Sequence, residues 1–282
     1  MYFRRISFLV FLFSFALSLN SLNALAQSAQ SGSFKDDAHL LLGNPSGALA
    51  RLANANNYFM EKPSYSLSYN NTKRTANWVS WHLDQSDIGY SDRQNNFRAD
   101  EALPSNWYHV KASDYKKSGF DRGHLCPSAD RTSSSVANSS TFLMSNMIPE
   151  APKHNRQTWA QLERFTRDLV ATGNEVYVIM GCYGIGGIGS KGYTQRIYKG
   201  DIQVPARIWK VLVVIPRGDR DLSRINTKTR VIAVDTPNSN LVNSNWRLYL
   251  TSVDAIEKAT GFDLLSRVNP AIQKVLEARV WR

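Results

Sequence analysis

The sequence is poor in cysteine, has no long apolar segment beyond its first thirty residues, and shows no internal repeat. Its 282 residues contain only two cysteines, Cys126 and Cys182. Two cysteines cannot build a disulfide framework, and no Cys/His group has the spacing of a zinc site. These absences argue against a disulfide-stapled small domain, a zinc-binding module and a solenoid. Whether the two thiols pair with each other stays open at this stage.

The N-terminus has the three-part layout of a secretory signal peptide. Arg4 and Arg5 precede an uncharged run from Ile6 to Leu19, and the small-residue sequence Ala24-Leu25-Ala26 follows. A membrane anchor is the alternative, but about fourteen apolar residues fall short of the roughly twenty that a spanning helix needs. We therefore expect cleavage near Ala26 and a mature protein that is secreted, extracellular or periplasmic, and not associated with a membrane.

The chain is basic, with 34 Lys and Arg against 23 Asp and Glu. Removal of residues 1–26 lowers the formal net charge from +11 to +9, because that segment carries two arginines and no acidic residue. Clustered basic side chains favour polyanionic partners such as nucleic acids, since binding releases counterions. A basic surface without a specific partner is equally compatible with the charge. The net charge alone therefore does not identify the function.

We expect a small polar leader and arm at residues 27–59, followed by one domain at residues 60–282. The 43% apolar content is enough for a substantial core, and no linker divides this domain. Alternation of apolar and polar residues predicts a strand around residues 65–69 that pairs with a second strand at 77–83. Apolar, β-branched runs predict further core strands, at 175–180, 208–215 and 230–234.

Three helices are predicted among these strands. One runs from Arg156 to Ala171 and stops near Gly173, a second runs from Ser252 to Ala259 and stops near Gly261, and a third begins at Pro270. Strands and helices alternate without a regular βαβ rhythm. The expected fold is therefore α+β, a mixed domain around a central antiparallel sheet.

The segment Asp121-Arg122-Gly123-His124 combines charged side chains with a histidine in a tight stretch of chain. Gly123 permits close approach of backbone or substrate. A lone histidine is usually structural, but hydrolysis of a phosphodiester at neutral pH needs a base with a pKa near 7, and unperturbed histidine is the natural candidate.

A second group of polar residues follows about thirty positions later. Asn155 is placed to cap the predicted helix, and Trp159, Glu163 and Arg167 follow at steps of four, which puts them on one flank. In the ordinary interpretation Asn155 is only a cap and Glu163 pairs with Arg167 on the surface. In the functional interpretation the amide and the carboxylate hold a cation and its water.

The order and spacing of these residues resemble the DNA/RNA non-specific endonuclease family, whose active site has a ββα-metal arrangement. The resemblance rests on the Asp121–His124 segment, on Thr141–Pro149, and on the Asn-Arg-Gln-Thr-Trp-Ala-Gln-Leu-Glu sequence at residues 155–163, within similarity over about residues 60–265. Glu150 departs from the pattern, because many relatives carry glutamine at its position.

The resemblance implies a role for each residue of the motifs. His124 is expected to be the general base, and Asn155 the sole direct protein ligand of a hydrated Mg²⁺ or Mn²⁺ ion. Glu163 is expected to hydrogen-bond water of that ion, and Asp121 to orient a neighbour or the water network. Arg93 resembles the family's transition-state arginine. The expected substrate contacts are Arg93, Arg122, Trp159 and Arg167.

The implied activity is that of a secreted endonuclease that hydrolyses DNA and RNA to 5′-phosphorylated products. Contacts restricted to phosphate and metal account for indifference to sugar and base, because sequence readout requires groups that reach base edges. A proteinaceous inhibitor is a further expected partner. Two alternatives remain at this stage: a secreted nucleic-acid-binding or uptake protein without turnover, and a phosphatase or small-molecule phosphodiesterase.

Overall fold

The computed structural model of the chain describes residues 38–281. The predicted signal peptide at 1–26 and the predicted leader up to residue 37 lie outside this range. Within residues 38–281, no helix combines the length and apolar character needed to cross a bilayer. Residues 38–59 are the described part of the leader and arm that we expected at 27–59, and Leu41, Leu42 and Ala48 of this part are buried in the core of the domain.

The strands of the described residues are, in chain order, β1 (Tyr58–Lys62), β2 (Tyr65–Asn70), β3 (Thr75–Leu83), β4 (Asp121–His124), β5 (Met147–Glu150), β6 (Asn174–Tyr183), β7 (Gly187–Gly189), β8 (Gly192–Thr194), β9 (Arg196–Ile197), β10 (Ile202–Gln203), β11 (Arg207–Pro216), β12 (Arg230–Pro237) and β13 (Leu250–Thr251). Seven of them form a central antiparallel sheet, in the order β1-β2-β3-β6-β11-β12-β13. Three two-stranded antiparallel ribbons accompany this sheet, β4 with β5, β7 with β8 and β9 with β10.

The helices are α1 (Ser135–Ser140), α2 (Ala160–Ala171), α3 (Asp221–Arg224), α4 (Val253–Thr260) and α5 (Pro270–Glu277). A π-helical segment at His154–Trp159 runs directly into α2. The chain leaves α2 through Gly173 and α4 through Gly261, with φ of +88° and +74°, a conformation that glycine adopts without strain. The predicted helix stops therefore coincide with the observed ones.

Both faces of the central sheet are covered. Alternate side chains of β11 face opposite cores: Ile208 and Leu212 point to the side of α2, whereas Val211 and Val213 point to the side of α4 and α5. This period of two explains why a nearly continuous apolar run forms a strand buried on both faces. The expectation of an α+β domain around an antiparallel sheet is confirmed.

Candidate active site

The β4–β5 ribbon and the helix that follows it bring the two sequence motifs together. Asp121 pairs with Glu150 and His124 with Met147 across the ribbon, and β5 leads after a few residues into the π-helical segment that carries Asn155. The Asn155 side-chain nitrogen donates a hydrogen bond to an Asp121 carboxylate oxygen over 2.9 Å. The motif strand and the following helix therefore meet at one point.

Asn155 is not a helix cap, contrary to the sequence-based interpretation. Its backbone N–H donates to the Ala151 carbonyl oxygen over 2.9 Å, so the residue already lies inside the helical segment. Its side-chain nitrogen is directed at Asp121, and the planar amide therefore turns its oxygen away from that carboxylate. The side chain is thereby held for a role outside the helix backbone.

Arg156 is a site residue that the sequence interpretation missed. Its guanidinium donates two hydrogen bonds to the Asp121 carboxylate, over 2.8 Å from Nε and 2.7 Å from Nη2. The hydrogen bond and charge of Asp121 raise the pKa of Arg156, although its side chain is 69% exposed. Its position directly after Asn155 was the only available signal, because the partner lies thirty-five positions earlier in the chain.

A cleft of about 710 Å³ opens beside these residues. Its lining includes polar groups of the two motifs and residues of the 3-10 helix Ala112–Tyr115 with the following Lys116. The lining residues are Arg93, Asn95, Phe97, Ala112, Ser113, Tyr115, Lys116, Phe120, Asp121, Arg122, Asn155 and Arg156. The cleft thus places four of the predicted site residues, Arg93, Asp121, Arg122 and Asn155, around one open space.

His124 lies behind this cleft rather than on its surface. The imidazole packs against the contacting rings of Phe97 and Phe142, with ring centroids 5.6 and 4.9 Å away, and the residue is 8% exposed. Burial, followed by the charges of Arg93 and Arg122, lowers the pKa of His124 to about 3. The expectation of an unperturbed pKa near 7 is therefore wrong for the protein without substrate, because two cations and two aromatic rings surround the ring.

The buried imidazole keeps one nitrogen available. Nε2 of His124 has no hydrogen-bond partner among the described residues. An imidazole with a lowered pKa is neutral at pH 7, and a neutral imidazole can accept a proton at its unprotonated nitrogen. A phosphate bound to Arg93 and Arg122 would neutralise two of the three causes of the low pKa.

The two arginines of the cleft are held by aromatic rings. Arg122 lies with its guanidinium carbon 4.1 Å from the Phe97 ring centroid. Arg93 lies 4.9 Å from the Phe142 ring and donates from Nη1 to Ser128 Oγ over 2.5 Å. Burial lowers the pKa of Arg93, but an arginine stays charged at any physiological pH. Both guanidinium groups therefore present a fixed positive charge to the cleft.

Glu163 and Arg167 do not pair with each other as the ordinary interpretation of the helix proposed. Glu163 faces Lys210, with Oε1 and Nζ 4.0 Å apart, whereas Arg167 donates to Asp130 Oδ1 over 2.9 Å. Burial raises the pKa of Glu163 to about 7, and the charge of Lys210 opposes that rise. The two residues lie on the flank of α2 as predicted, but each has a partner from another element.

Trp159 is not available as a substrate contact. The residue is 1% exposed and its indole packs against His154, 4.9 Å between ring centroids, and under the Lys210 ammonium group, also at 4.9 Å. The helical spacing placed it correctly on the flank of Glu163, but this part of the flank faces the core. The expectation that it contacts substrate conflicts with this burial.

Two clusters of His, Asp and Glu side chains among the described residues have the spacing to hold a metal ion. The first, His82, Glu175 and Asp221, is fully buried, and Arg224 forms ion pairs with both of its carboxylates. The second consists of Asp254, Glu257 and Glu277 near α4 and α5. The arginine already compensates the charge of the first group.

Cys126 and Cys182 are both free thiols buried in the core on the α2 side of the sheet. Burial raises the pKa of each, to about 11 for Cys182. They are therefore packing residues, and the question left open by the sequence is answered in favour of two unpaired cysteines.

Comparison with known proteins assigns the family. The family model described as DNA/RNA non-specific endonuclease matches residues 44–271, so the chain belongs to that family. It is 48% identical to a nuclease of Nostoc sp. strain PCC 7120 over 242 residues, 86% of this chain and 85% of the relative. It is 34% identical to Nuclease C1 of Cunninghamella echinulata over 73% of this chain and 83% of the relative.

The fold agrees with this assignment. A crystal structure of the EndoG/EndoGI complex matches with a TM-score of 0.67 over 82% of this chain and 91% of the matched chain, at 23% identity. The protein is a DNA/RNA endonuclease and nucleic acids are its substrates, which sets aside the two alternatives that the sequence left open, a binding protein without turnover and a phosphatase.

Proposed function

We propose that the protein is a secreted, Mg²⁺- or Mn²⁺-dependent endonuclease that hydrolyses DNA and RNA with His124 as general base and Asn155 as the direct metal ligand. The single observation that carries the proposal is the contact of Asn155 with Asp121, because it joins the two motifs at the edge of a cleft that also holds Arg93 and Arg122.

The residues present fit a hydrated divalent cation. Mg²⁺ dehydrates reluctantly and is commonly bound through one or two protein oxygens, with water in the remaining positions. One amide oxygen from Asn155 and an open cleft beside it meet that requirement, and the Asp121 carboxylate fixes the orientation of the amide. A bound cation would neutralise charge on a phosphate oxygen and on the departing 3′ oxygen.

The protein groups supply positioning and proton transfer. Arg93 and Arg122 would hold the phosphate oxygens of the scissile bond, because a guanidinium fork suits phosphate geometry. His124 would accept a proton from the attacking water at a ring nitrogen, the water oxygen would bond to phosphorus, and the bond to the 3′ oxygen would break. The product then carries its phosphate on the 5′ side.

Glu163 and Arg167 lie further from the cleft, so their proposed roles are indirect or depend on the bound substrate. Glu163 would accept a hydrogen bond from water of the cation's hydration shell, and its ionised form is the stronger acceptor. Arg167 is already paired with Asp130 and would contact phosphate only by leaving or sharing that partner.

Secretion and inhibition are part of the same proposal. The basic N-terminus with its uncharged run supports export, and a nuclease of low specificity is harmful inside the cell that makes it. The matched EndoG structure is a complex with EndoGI, described as a mechanism of EndoG inhibition, and this supports the idea that a protein inhibitor also exists for this chain.

The proposal is tested with purified protein, plasmid DNA and RNA, in Mg²⁺, Mn²⁺ or EDTA. We expect both substrates to be cut with either metal and neither with EDTA. The new ends should be labelled by a polynucleotide kinase only after phosphatase treatment. Cleavage in EDTA, or ends that are labelled directly, would contradict the mechanism. Protein recovered from the culture medium should begin at Gln27.

A further inference from the structure

Lys210 is a charged residue within β11, a strand in which every residue from Ile208 to Ile215 is buried. It lies on β11 between Ile208 and Leu212, on the face that packs against α2, where both neighbours are fully buried. Lys210 itself is 1% exposed. A buried ammonium group is costly unless charged or polar groups compensate it, so an apolar residue would be the expected occupant.

The groups around the ammonium show what compensates it. Nζ lies over the rings of Trp159 and Trp81, at 4.9 and 5.6 Å from their centroids, and 4.0 Å from Glu163 Oε1. A separation of 4.0 Å is too long for a hydrogen bond, so Lys210 acts on Glu163 through charge. The ammonium group thus contacts two indole rings and one carboxylate.

Other charged groups also face Glu163. Asp130 comes from the segment after β4, Glu150 from β5 and Arg167 from the same helix as Glu163. The two carboxylates disfavour the ionised form of Glu163, as does burial, and Lys210 is the strongest opposing charge. Arg167, which pairs with Asp130 at 2.9 Å, favours the ionised form less than Lys210 does.

We infer that Lys210 is a positioning residue of the nuclease, which keeps the Glu163 carboxylate ionised so that it can accept a hydrogen bond from water at the metal site. The inference rests on the proposed role of Glu163. It also accounts for the lysine in the core: β11 places one cation beside α2, where an uncharged residue would leave the Glu163 carboxylate without its strongest favourable charge.

The test is a double-mutant cycle between Lys210 and Glu163. Lys210→Met should lower kcat by about 10–100-fold, the usual loss when a supporting partner of a metal site is removed, with little change in KM. Lys210→Arg should recover much of this loss. In a Glu163→Gln background, Lys210→Met should cost nothing further, because the carboxylate on which it acts is gone.

Stability measurements complete the cycle and do not depend on turnover. Each single variant leaves one buried charge without its partner, so the double variant should have a higher Tm than either single variant. Val214→Ala is the matched control, because Val214 lies on the same face of β11. It should lower Tm by opening a cavity, with the same decrease in both Glu163 backgrounds and no effect on kcat.

The outcomes distinguish the proposed role of Glu163 from the inferred role of Lys210. Full activity in Glu163→Gln would remove the proposed role of Glu163, whatever Lys210 does. If Glu163→Gln loses activity, two results would overturn the inference for Lys210 alone. One is a Lys210→Met enzyme with unchanged activity, and the other is a Lys210→Met effect of equal size in both Glu163 backgrounds. If Lys210→Met does not fold, the cycle is made with Lys210→Gln, and additive changes in Tm would overturn the inference equally.

Discussion

The side-chain nitrogen of Asn155 donates to Asp121 across 2.9 Å, and this hydrogen bond decides which way the Asn155 amide faces. An amide can present either its oxygen or its nitrogen to a ligand, and only the oxygen binds a hard cation. The bidentate contact of Arg156 holds Asp121 in turn. The proposed metal ligand is thus oriented by a chain of two neighbours.

Asp121→Ala should therefore raise the metal concentration that the enzyme needs for activity. Without its acceptor the Asn155 amide can rotate, and we expect the Mg²⁺ concentration for half-maximal rate to rise by about 10–100-fold. The measurement is cleavage rate against Mg²⁺ concentration. Arg156→Gln is the control. It removes the exposed guanidinium that holds Asp121 but leaves the Asp121–Asn155 hydrogen bond, so it should cause a smaller rise in that concentration. Equal metal dependence in Asp121→Ala and the unchanged protein would refute this role.

His124→Ala should abolish cleavage and leave binding intact. Loss of a general base costs about 10²–10⁴-fold in rate, whereas the phosphate contacts of Arg93 and Arg122 do not involve the imidazole. Cleavage of plasmid and binding of a short duplex in Ca²⁺ are the two measurements. His109→Ala serves as the control, since His109 lies outside the cleft lining and contacts Glu101. Substantial activity in His124→Ala would exclude this residue as the base.

The pH dependence of kcat/KM should follow Glu163 and not His124. The pKa of His124 is lowered to about 3, so the imidazole is already unprotonated throughout the neutral range and its titration adds no limb there. The pKa of Glu163 is raised to about 7, so its ionised form is lost as the pH falls through that value. We expect kcat/KM to decrease below about pH 7, and Glu163→Gln to be slower but without this decrease. An acid limb that persists in Glu163→Gln would contradict the assignment.

Gly123→Ala should destabilise the folded protein at the β4–β5 ribbon of the candidate active site. A Cβ at this position would lie 1.9 Å from Oε2 and 2.5 Å from Cβ of Glu150. Glu150 cannot move freely, because its other oxygen is 2.5 Å from His154 Nδ1. We expect a loss of about 1–3 kcal/mol in the free energy of unfolding, measured with urea, and a lower cleavage rate.

The matched control for this variant is Gly218→Ala, whose new Cβ would come no closer than 3.5 Å to any neighbour. It should leave stability and activity nearly unchanged. Equal effects of the two substitutions would mean that the contact with Glu150 is not the reason for glycine in the motif.

Glu257→Gln should stabilise the protein above pH 7. Burial, followed by the charges of Glu277, Asp263 and Asp254, raises the pKa of Glu257 to about 7. A carboxyl whose folded pKa exceeds its unfolded value makes the folded state less stable as it ionises, so the cost is absent below about pH 4.5, grows up to pH 7 and is complete above it.

Urea denaturation of Glu257→Gln and the unchanged protein at pH 4.5 and pH 8 tests this sign. The variant should be more stable only at pH 8. Asp219→Asn, which neutralises an exposed acid elsewhere, should show no such gain. A stability difference of the same size at both pH values would argue against an electrostatic origin.

Local patterns were sufficient for much of the fold. The helix ends at Gly173 and Gly261 depend on the backbone freedom of one residue, and the strand near Tyr65 depends on alternation of apolar and polar side chains. Both features can therefore be predicted from a few neighbouring residues. The low pKa of His124 comes from its burial and from the charges of Arg93 and Arg122, and Trp159 is buried in the core that α2 forms with the central sheet. Such properties arise from contacts between distant segments, which spacing within one motif does not reveal.

Phe97 touches both halves of the proposed chemistry, since its ring lies 5.6 Å from the imidazole of His124 and 4.1 Å from the guanidinium of Arg122. In the proposed mechanism, one aromatic side chain would shield the proton acceptor from bulk solvent and brace a cation against the incoming polymer. A rearrangement of that ring would then weaken the contact with the backbone phosphate and hydrate the base together, which would couple anchoring to bond cleavage.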